Sequence, residues 1–231
     1  MAQNNKATLW FIIGFVVLII VGLIVASVVS SGSSSGSSGF VSTTAPGLSV
    51  DDWRTGNPDA KVTLVEYGDF ECPACGQYFP IVEQLVQNYS STVLFVFRNF
   101  PLYSVHPDAG ISAQAAEAAG LIGGPAKYWQ MNNLLYEKQN DWATIPPDQV
   151  VSAKFDGYAQ SLGLNVATFN SDLTATSVLQ KIQSDVNGGN SAQIDHTPTF
   201  FVNFQQIQNP ANYNDFASVI DQAIAASSTK K

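Results

Sequence analysis

A chain of 231 residues with a formal net charge of -8 lacks the clustered Lys and Arg that nucleic acid or an anionic membrane surface selects for, so no nucleic-acid partner is expected. Aromatic residues make up 11% of it and alternate with aliphatics in periodic runs, which excludes a disordered, highly charged polymer.

Residues 1–8 read as a short cytoplasmic N-terminus. From Leu9 to Val29, LWFIIGFVVLIIVGLIVASVV runs 21 residues without a charge, long enough to cross a hydrocarbon core as a helix. The apolar region of a cleaved signal peptide is shorter, ~7–15 residues, so an uncleaved signal anchor is predicted. Lys6 precedes the span, and the first charges after it are Asp51 and Asp52. The positive-inside rule then puts the N-terminus inside and the rest of the chain on the extracytoplasmic side of a single-pass membrane protein. Residues 30–50, rich in Ser and Gly, read as a flexible tether. Residues 51–231 remain, about 180 residues, a usual single-domain size.

Val62 to Tyr67 is rich in β-branched and aromatic residues and predicts a strand, broken by Gly68 and Asp69. Cys72-Pro73-Ala74-Cys75 follows, and then Phe79, Val82, Leu85, Val86 and Tyr89 recur at helical spacing. Thr92 to Phe97 reads as a second strand, apolar on both faces as in a sheet covered on both sides. The cysteines therefore open a helix between two strands. There the first-turn amides and the positive end of the helix dipole stabilise a thiolate on Cys72. Cys75, one turn on, is positioned to resolve a mixed disulfide. A structural disulfide between the two would close the smallest of loops and stabilise little. Zinc needs four ligands, and only His106 and His196 accompany the pair, so no metal is expected.

Pro107 fits a first helical position before an Ala-rich helix from Ala109 to Ile122, stopped by Gly123 and Gly124. Tyr128, Met131 and Leu135, then Val151, Phe155, Tyr158 and Leu162, then Val178, Ile182 and Val186 mark further helices through their buried faces. Phe200 to Asn203 resumes the sheet with Gln205 to Gln208 as an edge partner. Tyr213, Phe216, Ile220 and Ala223 mark a closing amphipathic helix.

VEYGDFECPAC resembles the active-site region of DsbA-like thiol oxidoreductases in the thioredoxin superfamily. Pro80 looks like the proline of that family's active-site helix, Ala115 to Trp142 looks like its helical insertion, and HTPTFFVN from His196 is similar to its cis-proline loop. The likeness covers about Asp51 to Ala226. It implies an α/β, thioredoxin-like fold with an inserted α-helical domain at about 105–190, preceded here by one N-terminal transmembrane helix. It also implies Glu66 as the acid beneath the disulfide, moving the Cys75 proton, and a cis Thr197-Pro198 bond beside the cysteines. Thr197 backbone groups would then pair with an extended substrate.

Three places depart from the family pattern. Ala74 adds no charge to the thiolate, and His196 stands where a small residue is more usual, so its imidazolium is a candidate stabiliser of Cys72. Asn203-Phe204 lacks the Asn-Gly turn that often follows that strand, leaving the next hairpin open. The expected activity is disulfide donation to cysteine-containing exported polypeptides, with a membrane redox partner resetting the pair. No bound cofactor is required, because the redox-active disulfide carries the two electrons. A reductase or isomerase uses the same residues, and a tethered peptide-binding chaperone or adaptor is the non-catalytic alternative.

Overall fold

A computed structural model describes residues 40–229. The expected anchor at Leu9–Val29 lies outside the described residues. Among the described residues, no helix is long and apolar enough to cross a membrane.

The strands are β1 (Phe40–Thr44), β2 (Trp53–Gly56), β3 (Val62–Gly68), β4 (Val93–Asn99), β5 (Thr199–Val202) and β6 (Gln205–Ile207). They form one mixed sheet in the order β1-β6-β5-β3-β4-β2. Only β3 and β4 run parallel, Leu64 opposite Phe95 and Glu66 opposite Phe97. Their crossover is helix α1 (Pro73–Tyr89), which contains Pro80.

Strand alternation divides the side chains between two cores. Val62, Leu64, Phe95, Phe200 and Val202 pack with Leu85 of α1 and with Phe216 and Ile220 of the last helix. On the opposite face Val65, Tyr67, Val96 and Phe201 meet Ala192 and Ile194. Because Glu66 follows the parity of Leu64, it lies on the face covered by α1. It sits two residues before the strand end rather than at it.

Between β4 and β5 lies the expected helical insertion: α2 (Ala109–Glu137), α3 (Gln139–Trp142), α4 (Pro147–Val150), a π-helical turn (Val151–Phe155), α5 (Asp156–Ser161), α6 (Val166–Asp172) and α7 (Thr176–Ser191). Tyr128, Met131, Leu135, Trp142, Phe155 and Phe169 are fully buried in its core. Pro107 stands two residues ahead of α2 rather than inside its first turn, with Asp108 at the cap. The expected stop near Gly123 and Gly124 is a break within α2. Gly124 adopts φ 70, ψ -165, a conformation essentially confined to glycine, and Pro125 begins the second segment. Helix α8 (Tyr213–Thr229) closes the domain.

Residues 40–50 do not belong to a tether. Strand β1 pairs antiparallel with β6, Ala45 N–H donates to Phe204 O at 2.8 Å, and Ala45 is buried. Thr43 and Thr44 are polar enough to read as linker, yet as β-branched residues they, like Val41, suit an edge strand. In consequence β6 is an inner strand rather than the edge expected of Gln205 to Gln208. The open hairpin question is resolved by Asn203 and Phe204, both at positive φ, 50° and 66°, the pattern of a two-residue type I′ turn. Asn203 Oδ1 also accepts Thr63 N–H at 2.9 Å.

Arg98, at the end of β4, is a buried tie. It contacts both oxygens of Asp52 at 3.0 and 2.9 Å. It also donates to Pro46 O, Gly47 O and the Tyr67 hydroxyl, fastening the segment between β1 and β2 to the sheet.

Candidate active site

The chain leaves β3 at Gly68, turns, and enters α1 with Cys72 as the cap residue, φ -64 and ψ 120, and Pro73 in the first helical turn. Extended geometry at the cap aims the Cys72 side chain along the helix entrance, where first-turn amides have no intrahelical acceptor. Proline fits there because its missing N–H is one of those orphans. Both cysteines are free thiols, Cys72 6% exposed and Cys75 completely covered.

Their environments push the two thiols in opposite directions. Cys72 is lowered to about 5, chiefly by a hydrogen bond from Cys75, opposed by burial, and helped by Thr197 and by the backbone amides of Cys75 and Ala74. Cys75 is pushed well above its ordinary value by burial, by its bond to Cys72 and by the nearby Glu66 charge. One thiol is thus an ionised nucleophile and leaving group at neutral pH, and the other is a protonated reserve.

Glu66 is buried, and desolvation alone raises it to about 8, so it is mostly protonated at neutral pH. It borders a cavity of about 30 Å³ shared with Asn132 and Tyr136, space for about one water. The Tyr136 hydroxyl and Asn132 Nδ2 are buried there without partners among the described residues.

Thr197-Pro198 is cis. As a thiol, Cys72 donates to Thr197 O at 3.4 Å. On ionisation that bond is lost, and the Thr197 hydroxyl, buried without an acceptor among the described residues, is available to donate to the sulfur. His196 does not join the cysteines. Its side chain is 56% exposed and its Nδ1 lies 2.6 Å from Asp195 Oδ1. The thiolate stabilisation expected of it comes instead from Cys75, Thr197 and main-chain amides. Among the described residues no group of three or more His, Cys, Asp or Glu is placed to hold a metal ion.

Two further side chains hold the cysteine turn, and neither stood out in the sequence. Gln139, from α3 of the insertion, donates through Nε2 to Phe70 O at 2.7 Å and Cys72 O at 2.9 Å. A Cβ on Gly76 would collide with its amide, so the glycine admits that clamp. Asp69 is the second. Its carbonyl accepts Cys72 N–H at 3.1 Å, and its buried carboxylate accepts from Glu71 N, Leu102 N and the His106 ring. A Gln and an Asp in ordinary surroundings carry no local signal, because both partners of Gln139 and two of those of Asp69, Leu102 and His106, lie tens of residues away.

Residues 49–222 match the family described as Thioredoxin. A Salinispora arenicola protein named Na(+)/H(+) antiporter NhaA 1 is 35% identical over 187 residues, 81% of this chain but 27% of that protein. The chain therefore spans about a quarter of the length of the curated relatives it matches. Bacillus subtilis BdbD in oxidised form superposes with a TM-score of 0.68 at 24% identity, over 79% of this chain and 98% of that one. The thiol-disulfide exchange protein alpha-DsbA2 of Wolbachia pipientis does so with 0.63 at 15%, over 75% and 87%. At these identities the superpositions speak for the fold. The family match spans most of the chain and includes the cysteine turn, the acid beneath it and the cis-proline loop: this protein belongs to the thioredoxin family and carries the dithiol arrangement of a thiol-disulfide oxidoreductase.

Proposed function

We propose that this protein is a thiol-disulfide oxidoreductase that donates the Cys72-Cys75 disulfide to cysteine pairs of exported polypeptides. It would act on the extracytoplasmic side of a membrane, held there by the apolar segment Leu9–Val29. The observation that carries the reading is the opposed pair of thiols, Cys72 lowered to about 5 and Cys75 raised by burial. Stabilising the Cys72 thiolate favours the dithiol form of the protein, which makes its disulfide the stronger oxidant. The disulfide itself carries the electrons, without a bound cofactor.

In the oxidised protein a substrate thiolate attacks Cys72 Sγ, forming a mixed disulfide and expelling Cys75 as thiolate. Glu66, protonated up to about pH 8, gives that sulfur its proton, directly or through one water. A second substrate thiolate attacks the substrate sulfur of the mixed disulfide and releases Cys72 as thiolate. The substrate leaves with a disulfide and the protein keeps two electrons, which a membrane redox partner removes to restore the Cys72-Cys75 bond. Pro73 and Ala74 shape the turn, while Thr197 and Pro198 offer backbone to an extended substrate strand beside Cys72. The longer relatives are named for antiport, a membrane activity, which supports the membrane setting; the antiport itself belongs to those proteins.

The test is the reduction potential of the pair in glutathione buffers, read by thiol trapping. A value above ~-200 mV is expected of a disulfide donor. One below ~-250 mV would make it a reductase, and a pair that never equilibrates would leave a chaperone or adaptor.

A further inference from the structure

The turn between β3 and α1 is held from the loop that follows β4. Asp69 meets both cysteines through its main chain, its carbonyl taking the Cys72 backbone N–H and its amide favouring a thiolate on Cys75. Its carboxylate has no exposed surface and is fixed by Glu71 N at 2.9 Å, Leu102 N at 2.9 Å and His106 Nδ1 at 2.7 Å. Two of those donors are peptide groups, and His106 is the one side chain among them. The loop is itself ordered by His106 N–H and Val105 N–H to Leu102 O, at 3.0 and 2.9 Å. Glu71 reaches the same loop, accepting Asp108 N–H at 2.5 Å. The charged and titratable groups facing the Asp69-His106 pair include Glu71, Asp108, Tyr103 and Tyr136.

We propose that His106 is a positioning residue for the dithiol: its Nδ1–H, given to Asp69, holds the turn whose backbone orients Cys72 and Cys75. A carboxylate only accepts, so the shared hydrogen sits on Nδ1. Removing the ring leaves a buried carboxylate one donor short, a penalty it relieves by moving, and the turn moves with it. The inference rests on the exchange function proposed above and adds a residue that touches neither sulfur.

The experiment compares the wild type with His106→Ala and His106→Gln by thiolate absorbance against pH and by equilibration with glutathione. For the alanine variant we expect a Cys72 acid constant at least threefold smaller and an equilibrium at least threefold further toward the disulfide. The glutamine variant keeps an N–H donor and should stay within twofold of the wild type. A folded alanine variant matching the wild type in both readouts overturns the proposal. Should that variant not fold, the ring nitrogens of His106 are read by nitrogen NMR in the wild type: a proton on Nδ1 is required, and an unprotonated Nδ1 overturns the proposal. A wild type that never equilibrates with glutathione would defeat the exchange function instead, a different result.

Discussion

Glu66 is a carboxyl kept neutral by its surroundings, and that has a measurable signature. The folded protein holds its proton up to about pH 8, whereas the ordinary value is 4.5. Between those values the folded state binds more protons than the unfolded one, so stability falls as pH rises. The loss across the whole window is on the order of 5 kcal/mol. Replacing Glu66 with Gln should flatten this slope and leave the variant gaining on the wild type from pH 5 to pH 8, as urea unfolding at both values would show. Identical slopes would mean that the carboxyl is already charged when folded. Catalysis should respond separately, with slower opening of the disulfide because Cys75 then lacks its proton donor. Cys72, Cys75 and the cis-proline loop were legible in the sequence because their chemistry sits in contiguous motifs. His106 and Gln139 were not, since each works on a turn more than thirty positions away in the chain. His196 misled for the same reason: adjacency to Pro198 in sequence did not aim its ring at the sulfur.

Among the elements, α2 is where local backbone matters most. Gly124, at φ 70 and ψ -165, separates an Ala-rich first segment lying against the sheet from a second that supplies Tyr128, Met131 and Leu135 to the core. A Cβ there would meet no atom within 4 Å, so the cost of Gly124→Ala is conformational alone, about 1–3 kcal/mol. Thermal or denaturant unfolding checks it, and an unchanged midpoint would show that the break tolerates a side chain. An end to the Ala-rich segment was readable from Gly123-Gly124, as were the strands β3 and β4 and the helix between them. Strand β1 was not. FVSTT follows a Ser/Gly run, and only its partner β6, more than 160 positions later, distinguishes it from linker.

At the scale of the molecule, the Arg98-Asp52 pair joins the segment between β1 and β2 to β4, the strand next to the sheet's edge. Both side chains are nearly inaccessible, 4% and 1%, and Arg98 is also held by two carbonyls and Tyr67. Asp52→Ala would leave the guanidinium buried without its counter-charge, a loss of about 3–5 kcal/mol. Equilibrium unfolding measures it, and a loss below about 1 kcal/mol would assign the pair the weight of a surface salt bridge.

Strands β1 and β2 lie within seventeen residues of each other, yet they form the two opposite edges of the six-stranded sheet. One short stretch therefore finishes both borders, against β6 on one side and β4 on the other. In a chain made from its N-terminus, β1 emerges first and waits for nearly the whole domain before its partner exists. Until then the hydrogen-bonding row of β1 that β6 will take has nothing to pair with, and unpaired rows of this kind recruit other chains. Closure of this border of the sheet thus waits until synthesis has passed Ile207, and the interval before it is when the polypeptide is most open to aggregation.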